Sequence, residues 1–247
     1  MEHSTKPFTS PNFRPLYLQV KDIILQRLAK NEFKPGDLLP SEPRQAEMLG
    51  VSQGTIKKAL DELVGQNLLV RHQGKGTYVA THTVDRALFH FLRLTNDNGH
   101  RLLPDSRVVS LSKNRSTIQE RDKLCLDKGG QVIRITRIRM LDSDPVIHEC
   151  LSLPANRFSG LENHAPAELP NTLYRYYESL FHLAVINATE KLKAVVADEN
   201  DAKHLGIECG RPLLEIDRVA IGYENIPLEW RVSRCNTAHY HYLTDLE

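Results

Sequence analysis

The chain has 247 residues, 40% of them hydrophobic and 26% charged, with a formal net charge of +1. That length suits one large domain or two modest ones with buried cores, and no apolar run approaches what a bilayer crossing requires. Met1 to Ser10 is polar, and Cys125, Cys150, Cys209 and Cys235 are scattered without a C-x-x-C pair, so the readings are no signal peptide and reduced thiols in the cytoplasm.

Leu16, Val20, Ile23, Ile24 and Leu28 recur at helical spacing, which predicts a helix over Pro15 to Lys30 with one apolar stripe. Pro15 fits its start, where a missing N–H costs nothing. Lys34-Pro35-Gly36-Asp37 reads as a turn. Ser41 is placed to cap a second helix that tolerates Pro43 in its first turn and turns Ala46 and Leu49 inward. That helix ends at Gly50, and Ser52 caps a third whose buried stripe is Ile56, Ala59, Leu60 and Leu63. Gln53, Gly54, Lys57 and Lys58 are left on the outer side. Leu69 to Gln73 and Thr77 to Ala80 read as two strands around Gly74-Lys75-Gly76, where two glycines allow positive φ on both sides of one cation.

Three helices with a tight Gly50-Val51-Ser52 turn, followed by a hairpin, form the layout of a winged helix-turn-helix. The third helix would enter a DNA major groove. Gln53 suits adenine and Lys57 suits guanine, Thr55 suits phosphate, and Gly54 permits close backbone approach. Lys75 would lie along the backbone or in the minor groove. The overall charge argues weakly against nucleic acid. Residues 1–82, however, carry 11 basic and 8 acidic side chains, against 21 and 23 in the remainder. Where cations sit matters more than their total.

Beyond Thr81 the texture changes, with His82 to Asp85 a short hinge. Alternating segments appear at Ser106–Leu111, Val132–Met140, Val146–Leu153, Pro212–Ala220 and Pro227–Cys235. Turns fall at Asp142–Pro145 and Tyr223–Pro227, and helices at Asn171–Phe181 and Asp198–Leu205. The whole is read as α+β, with residues 1–81 a DNA-binding winged helix, 82–87 a linker and 88–247 a domain built on an antiparallel sheet.

The first stretch resembles the DNA-binding domain of the GntR family of bacterial transcription regulators. The resemblance runs through Pro15-Leu16-Tyr17, Lys34-Pro35-Gly36, Leu39-Pro40-Ser41-Glu42, Leu49-Gly50-Val51-Ser52 and Gln73-Gly74-Lys75-Gly76-Thr77. It implies DNA contact at Arg44, Ser52, Gln53, Gly54, Thr55, Lys57 and Lys58, and in the wing at Arg71, Gln73, Gly74, Lys75 and Gly76. The family commonly has Arg directly after Pro-Ser-Glu and again after Val-Ser, where this chain has Pro43 and Gln53. The second departure is expected to shift base preference towards adenine.

The second half resembles the UTRA effector-binding domain of the HutC-like branch, which shares its fold with chorismate lyase. The carrying residues are Arg137-Ile138-Arg139, Pro145 to Glu149, Leu173-Tyr174, Ala197-Asp198-Glu199, Gly210 to Leu214 and Ile226 to Glu229. Near the C-terminus the family's Asp-Arg-Tyr is replaced by Ala238-His239-Tyr240. The resemblance implies a metabolite pocket in which Arg137 and Arg139 hold an anionic group, with Thr172 and Tyr174 beside them. Glu149, Glu190 and Glu229 would accept hydrogen bonds from the ligand. Arg137 and Arg139 share one strand face, which leaves open that one of them is paired with a glutamate.

His239-x-His241 supplies too few ligands for a metal, and no G-x-S-x-G, H-E-x-x-H or phosphate-loop pattern occurs. No catalytic residue, metal or cofactor is therefore assigned. The sequence reads as a cytoplasmic transcription regulator, taken as a repressor. It would act as a homodimer on a near-palindromic double-stranded operator, respond to a small metabolite, and have no membrane partner. A regulator whose second half only dimerises, and a lyase-like enzyme, are the alternatives.

Overall fold

A computed structural model of the chain describes residues 14–30, 32–66, 68–80, 93–99 and 104–244. It divides into two compact units, Met1–Ala80 and Thr81–Glu247. The segment read as a linker, 82–87, lies outside the described residues.

In the first unit α1 (Leu16–Ala29), α2 (Glu42–Leu49) and α3 (Gln53–Gly65) precede a hairpin of β1 (Leu69–His72) and β2 (Gly76–Val79). Val20, Ile24 and Leu28 of α1 are buried, as are Ile56, Ala59, Leu60 and Leu63 of α3. Burial of side chains this size contributes about 1.5–3 kcal/mol each, so these helices hold by packing rather than propensity. Leu16, expected in the stripe, is instead 57% exposed at the frayed first turn.

Gly50 ends α2 in the left-handed conformation at φ 62°, and Ser52 Oγ accepts from Thr55 N at 3.2 Å to start α3. Ser41 occupies the α2 cap position, but its side chain makes no cap bond; Gln45 Nε2 binds the Pro40 carbonyl at 2.6 Å beside it. The segment before α2 does more than turn. Leu39 N donates to Thr77 O at 2.9 Å and Gly36 N to Val79 O at 3.0 Å, which braces the wing from a third side. Leu38 packs so closely there that a Cβ at Gly76, whose φ is +113°, would come within 2.8 Å of its Cδ1.

The second unit is built on a six-stranded antiparallel sheet. Its strands are β4 (Asp105–Arg115), β5 (Gln131–Leu141), β6 (Asp144–Pro154), β7 (Asn187–Val196), β8 (Pro212–Ile221) and β9 (Pro227–Cys235), in the order β4-β5-β6-β9-β8-β7. Two short strands, β3 (Leu94–Asn96) and β10 (Tyr240–Tyr242), pair separately. The hairpin between β5 and β6 turns on Asp142 and Ser143, both at positive φ.

One sheet face carries the main core. Ile133, Ile135, Leu151 and Leu153 pack against Phe158, and against Leu173, Tyr174 and Tyr177 of α5 (Leu173–Phe181). The other face is covered by α4 (Ile118–Leu124) and α6 (Glu199–Leu205). The Thr117–Glu120 capping box that begins α4 doubles as its anchor. Glu120 accepts from Arg134 through both oxygens at 2.7 Å, and from Ser152 Oγ at 2.8 Å.

Burial opposes the charge of Glu120, but Arg134, the Thr117 amide and Ser152 outweigh it and hold the carboxyl at about 2. A depressed folded pKa gives stability that is present above the ordinary value and lost below it. Melting temperature should therefore fall as pH drops from about 4.5 towards 2, and Glu120→Gln should be less stable at neutral pH while flattening that acid limb. Parallel acid limbs in the two proteins would refute this.

Candidate nucleic-acid interface and cationic cavity

The outer face of α3 is polar and accessible. Gln53, Gly54, Lys57 and Lys58 are all exposed, and Lys57 has no ion-pair partner among the described residues. Lys58 is differently placed, with Nζ 4.0 Å from the centre of the Tyr17 ring; it braces α1 as well as facing outward. Thr55 Oγ1 lies 2.8 Å from Ser52 Oγ, so both hydroxyls already serve the helix start. Arg44 on α2 is exposed.

Gln73, Gly74, Lys75 and Gly76 form the exposed wing tip, with Gly74 at φ 73°. Arg71 is exposed and also ion-paired within the unit. Its guanidinium bridges Glu42 of α2 at 2.9 Å and Asp61 of α3 at 2.7 Å, because β1 runs beside both helices. It ties the base of the wing to the helix pair.

Gly54 is informative by what it lacks. A Cβ there would meet nothing nearer than Ser52 Oγ at 3.8 Å, so packing within the chain does not require glycine. Gly54→Ala should therefore stabilise the first unit by roughly 0.5–1 kcal/mol while weakening DNA binding, if the backbone must approach a duplex closely. Thermal melts beside gel retardation check both arms. Unchanged DNA affinity would remove the reason given for this glycine.

In the second unit a cavity of about 40 Å³ opens at one end of the main core face. Arg93 beside β3, Arg137 and Arg139 from β5, Glu149 from β6, Arg218 from β8, Arg231 and Ser233 from β9 and Thr172 at the start of α5 all line it. Alternation along each strand puts these side chains on one face.

Arg137, Arg139, Arg218 and Arg231 are all at most 6% exposed. Three of them have carboxylate partners. Arg137 pairs with Glu149. Arg231 grips Glu229 through two bonds, at 2.8 and 2.9 Å, and reaches Glu149 at 3.5 Å. Arg218 pairs with Glu190. Arg139 alone of the four has no carboxylate partner among the described residues; its one side-chain bond is to Asn171 Oδ1 at 3.3 Å.

The Nε of Arg139 is buried without any hydrogen-bond partner. Burial and the neighbouring charge of Arg137 push its pKa down to about 9, as expected for a cation short of counter-charge. Glu149 shows the reverse: burial opposes its charge, but the surrounding arginines hold its carboxyl well below the usual range. Burial and the charge of Glu229 push Tyr174 up to about 12, so its phenol stays a donor. Thr172, which makes no side-chain cap bond, and the first residues of α5, Leu173 and Tyr174, line the cavity wall.

The predicted ligand residues thus separate. Arg137, Arg139, Glu149, Thr172 and Tyr174 come together, but two carboxylates do not line the cavity. Glu229 is 0% exposed, its oxygens taken by Arg231, by Tyr177 at 2.7 Å and by Tyr174 at 3.2 Å. Glu190 sits on β7, occupied by Arg218 and Tyr242. Ligand hydroxyls cannot claim either without breaking internal bonds. Arg218, Arg231 and Ser233 went unforeseen, although the alternation that aligned Arg137 with Arg139 also aligns Arg231 with Ser233.

No helix among the described residues is long and apolar enough to cross a membrane. Residues 16–79 match the sequence model of the bacterial regulatory proteins of the gntR family, and residues 99–241 match that of the UTRA domain. The chain is 28% identical over 233 residues to the HTH-type transcriptional repressor NagR of Bacillus subtilis, covering 92% of this chain and 94% of the relative. It is 26% identical over 232 residues to the mannosyl-D-glycerate transport/metabolism system repressor MngR of Escherichia coli, covering 93% and 95%. Its fold matches a solved ligand-binding domain titled as that of a GntR-family transcriptional regulator from Bordetella bronchiseptica. The TM-score there is 0.59 and the identity 35%, over 64% of this chain and 98% of that one.

Proposed function

The chain belongs to the GntR family of bacterial regulatory proteins and carries a UTRA domain, and from that premise we propose how it reads DNA and what releases it. It is a DNA-binding transcription regulator whose operator affinity is set by a small metabolite, and we take it as a repressor. Gln53, Gly54 and Lys57 at the start of α3 meet base edges, while Lys75 and the first turn of α3 meet phosphates. Two copies related by a two-fold axis read the halves of a near-palindromic site.

The effector carries an acidic group that lies against Arg139 and the start of α5. The single observation that carries this is the buried, partnerless Nε of Arg139 in a cluster of four arginines and three carboxylates. Arg93, bonded to Thr244 Oγ1 at 2.9 Å, lines the cavity as well, so positive charge is in excess there and an anion completes the set. The named system of one relative concerns mannosyl-D-glycerate, a small carboxylate-bearing glycoside, which is a ligand class of the right charge.

Binding assays on cognate and random duplexes at several salt concentrations test the DNA half. Lys57→Ala should lose about 1–3 kcal/mol on the cognate site and little on random DNA. Lys75→Ala should weaken both and lower the salt slope by about 1. Equal losses on both duplexes for both variants would overturn these roles.

A further inference from the structure

On the sheet face away from the cavity, β6 presents His148, Cys150 and Ser152, in alternation with Ile147, Glu149 and Leu151. His148 is 8% exposed, and its Nδ1 lies 2.8 Å from Oδ1 of Asp201 on α6. Asp201 is 0% exposed; Arg234 Nη1 donates to its other oxygen at 2.8 Å, and it completes the α6 capping box with Asp198. These contacts hold the carboxylate ionised and fix its direction. An ionised acceptor at Nδ1 selects the tautomer with the proton there, which leaves the Nε2 lone pair facing outward. Cys150 Sγ sits 3.9 Å from that nitrogen, and the cysteine is exposed.

A nucleophile, a base and a carboxylate that orients the base therefore stand in sequence, none of them part of the cavity or the α3 face. We propose that Cys150 is a reactive thiol, deprotonated by His148 and positioned with Asp201, and is this chain's site of modification by hydroperoxides. The thiol passes its proton to His148 Nε2. The thiolate sulfur attacks one peroxide oxygen, the S–O bond forms and the O–O bond breaks. The departing hydroxide recovers the proton from the imidazolium and leaves as water. Sulfur loses two electrons to the peroxide, and a sulfenic acid remains.

The surrounding charges favour this polarity. Burial opposes protonation of His148, but its bonds to Cys150 and Asp201 outweigh that and raise its pKa. His204 on α6, with its ring 4.9 Å away, is lowered by burial and by His148, so one imidazolium of the pair is preferred. Arg234 is engaged with Asp201 and Glu215, and Lys123 with Asp217. Cys125 and Cys209 are also exposed but have no histidine partner among the described residues. Cys235 is buried, and burial pushes its thiol up.

The full chain supplies its own controls. Site-resolved alkylation by iodoacetamide at pH 7, read by peptide mass spectrometry, should modify Cys150 at least fivefold faster than Cys125 or Cys209. After one equivalent of hydrogen peroxide, dimedone should trap a sulfenic acid at Cys150 ahead of the other three. His148→Gln should bring Cys150 down to the rate of the exposed controls. A wild-type Cys150 rate under fivefold that of both controls overturns the proposal, as does dimedone capture spread evenly among the exposed thiols. The wild-type comparison decides the question even if the variant does not fold.

Discussion

Arg139→Met will raise the melting temperature of the protein and abolish its response to an acidic effector. The side chain is 4% exposed, its Nε has no partner, and Arg137 stands beside it. Replacing an uncompensated buried charge with an apolar side chain of similar length relieves desolvation and like-charge repulsion together. The opposite is expected for ligand. An acid that pairs with this guanidinium loses about 2–5 kcal/mol when it is removed, roughly 30-fold to several thousand-fold in Kd. Calorimetry measures the first effect. Thermal-shift titration, with an acidic hit found on the wild-type chain, measures the second. A destabilised variant that still binds would show that Arg139 is a structural cation, and the assignment of the anion seat would fail.

Glu149→Gln will do the reverse and destabilise the second unit by about 3–5 kcal/mol. Glu149 accepts from Arg137, from Arg231 at 3.5 Å and from Ser233 at 3.2 Å, all within the buried cluster. Removing its charge leaves four buried arginines facing two carboxylates. The double variant Arg137→Met, Glu149→Gln should recover part of the loss, because it also removes the cation left unpaired. A loss below about 1 kcal/mol, or a strictly additive double variant, would mean that the cluster is far better hydrated than its burial implies.

These two opposite signs come from residues that the resemblance placed in one ligand site. The Arg137-Ile138-Arg139 alternation revealed a shared face, and the spacing left open that one arginine was internally paired. Which one follows from register: Arg137 is directly opposite Glu149 on β6, whereas Arg139 is opposite Ile147. Register is a long-range property of the sheet and cannot be read from either strand alone.

The same limit explains the other differences. Strands with one apolar face, such as Pro227–Cys235, were legible to the residue. The edge strand Asn187–Val196 was not, because it has no buried face and most of its side chains are exposed. Ile118–Leu124 spans only seven residues, too short for a helical stripe, although Thr117-x-x-Glu120 marked its start. Leu94–Asn96 and Tyr240–Tyr242 are three residues each and exist only through their mutual pairing. In the first unit nearly every element was legible, since caps, turns and stripes are all local there. The internal partners of Arg71, Glu42 and Asp61, were not legible because they lie 29 and 10 residues away.

The central claim is that α3 reads a discrete duplex site and that an anion in the cavity controls it. Footprinting of the full chain on duplexes selected from a random pool tests this most directly, with and without the acidic ligand. The expected result is a bounded protected tract with two related half-sites about 34 Å apart, or a multiple of that. It should need more protein to appear for Lys57→Ala, and it should be altered for wild type by the ligand but not for Arg139→Met. Protection that is diffuse along the duplex, depends only on salt and ignores the ligand would contradict the account.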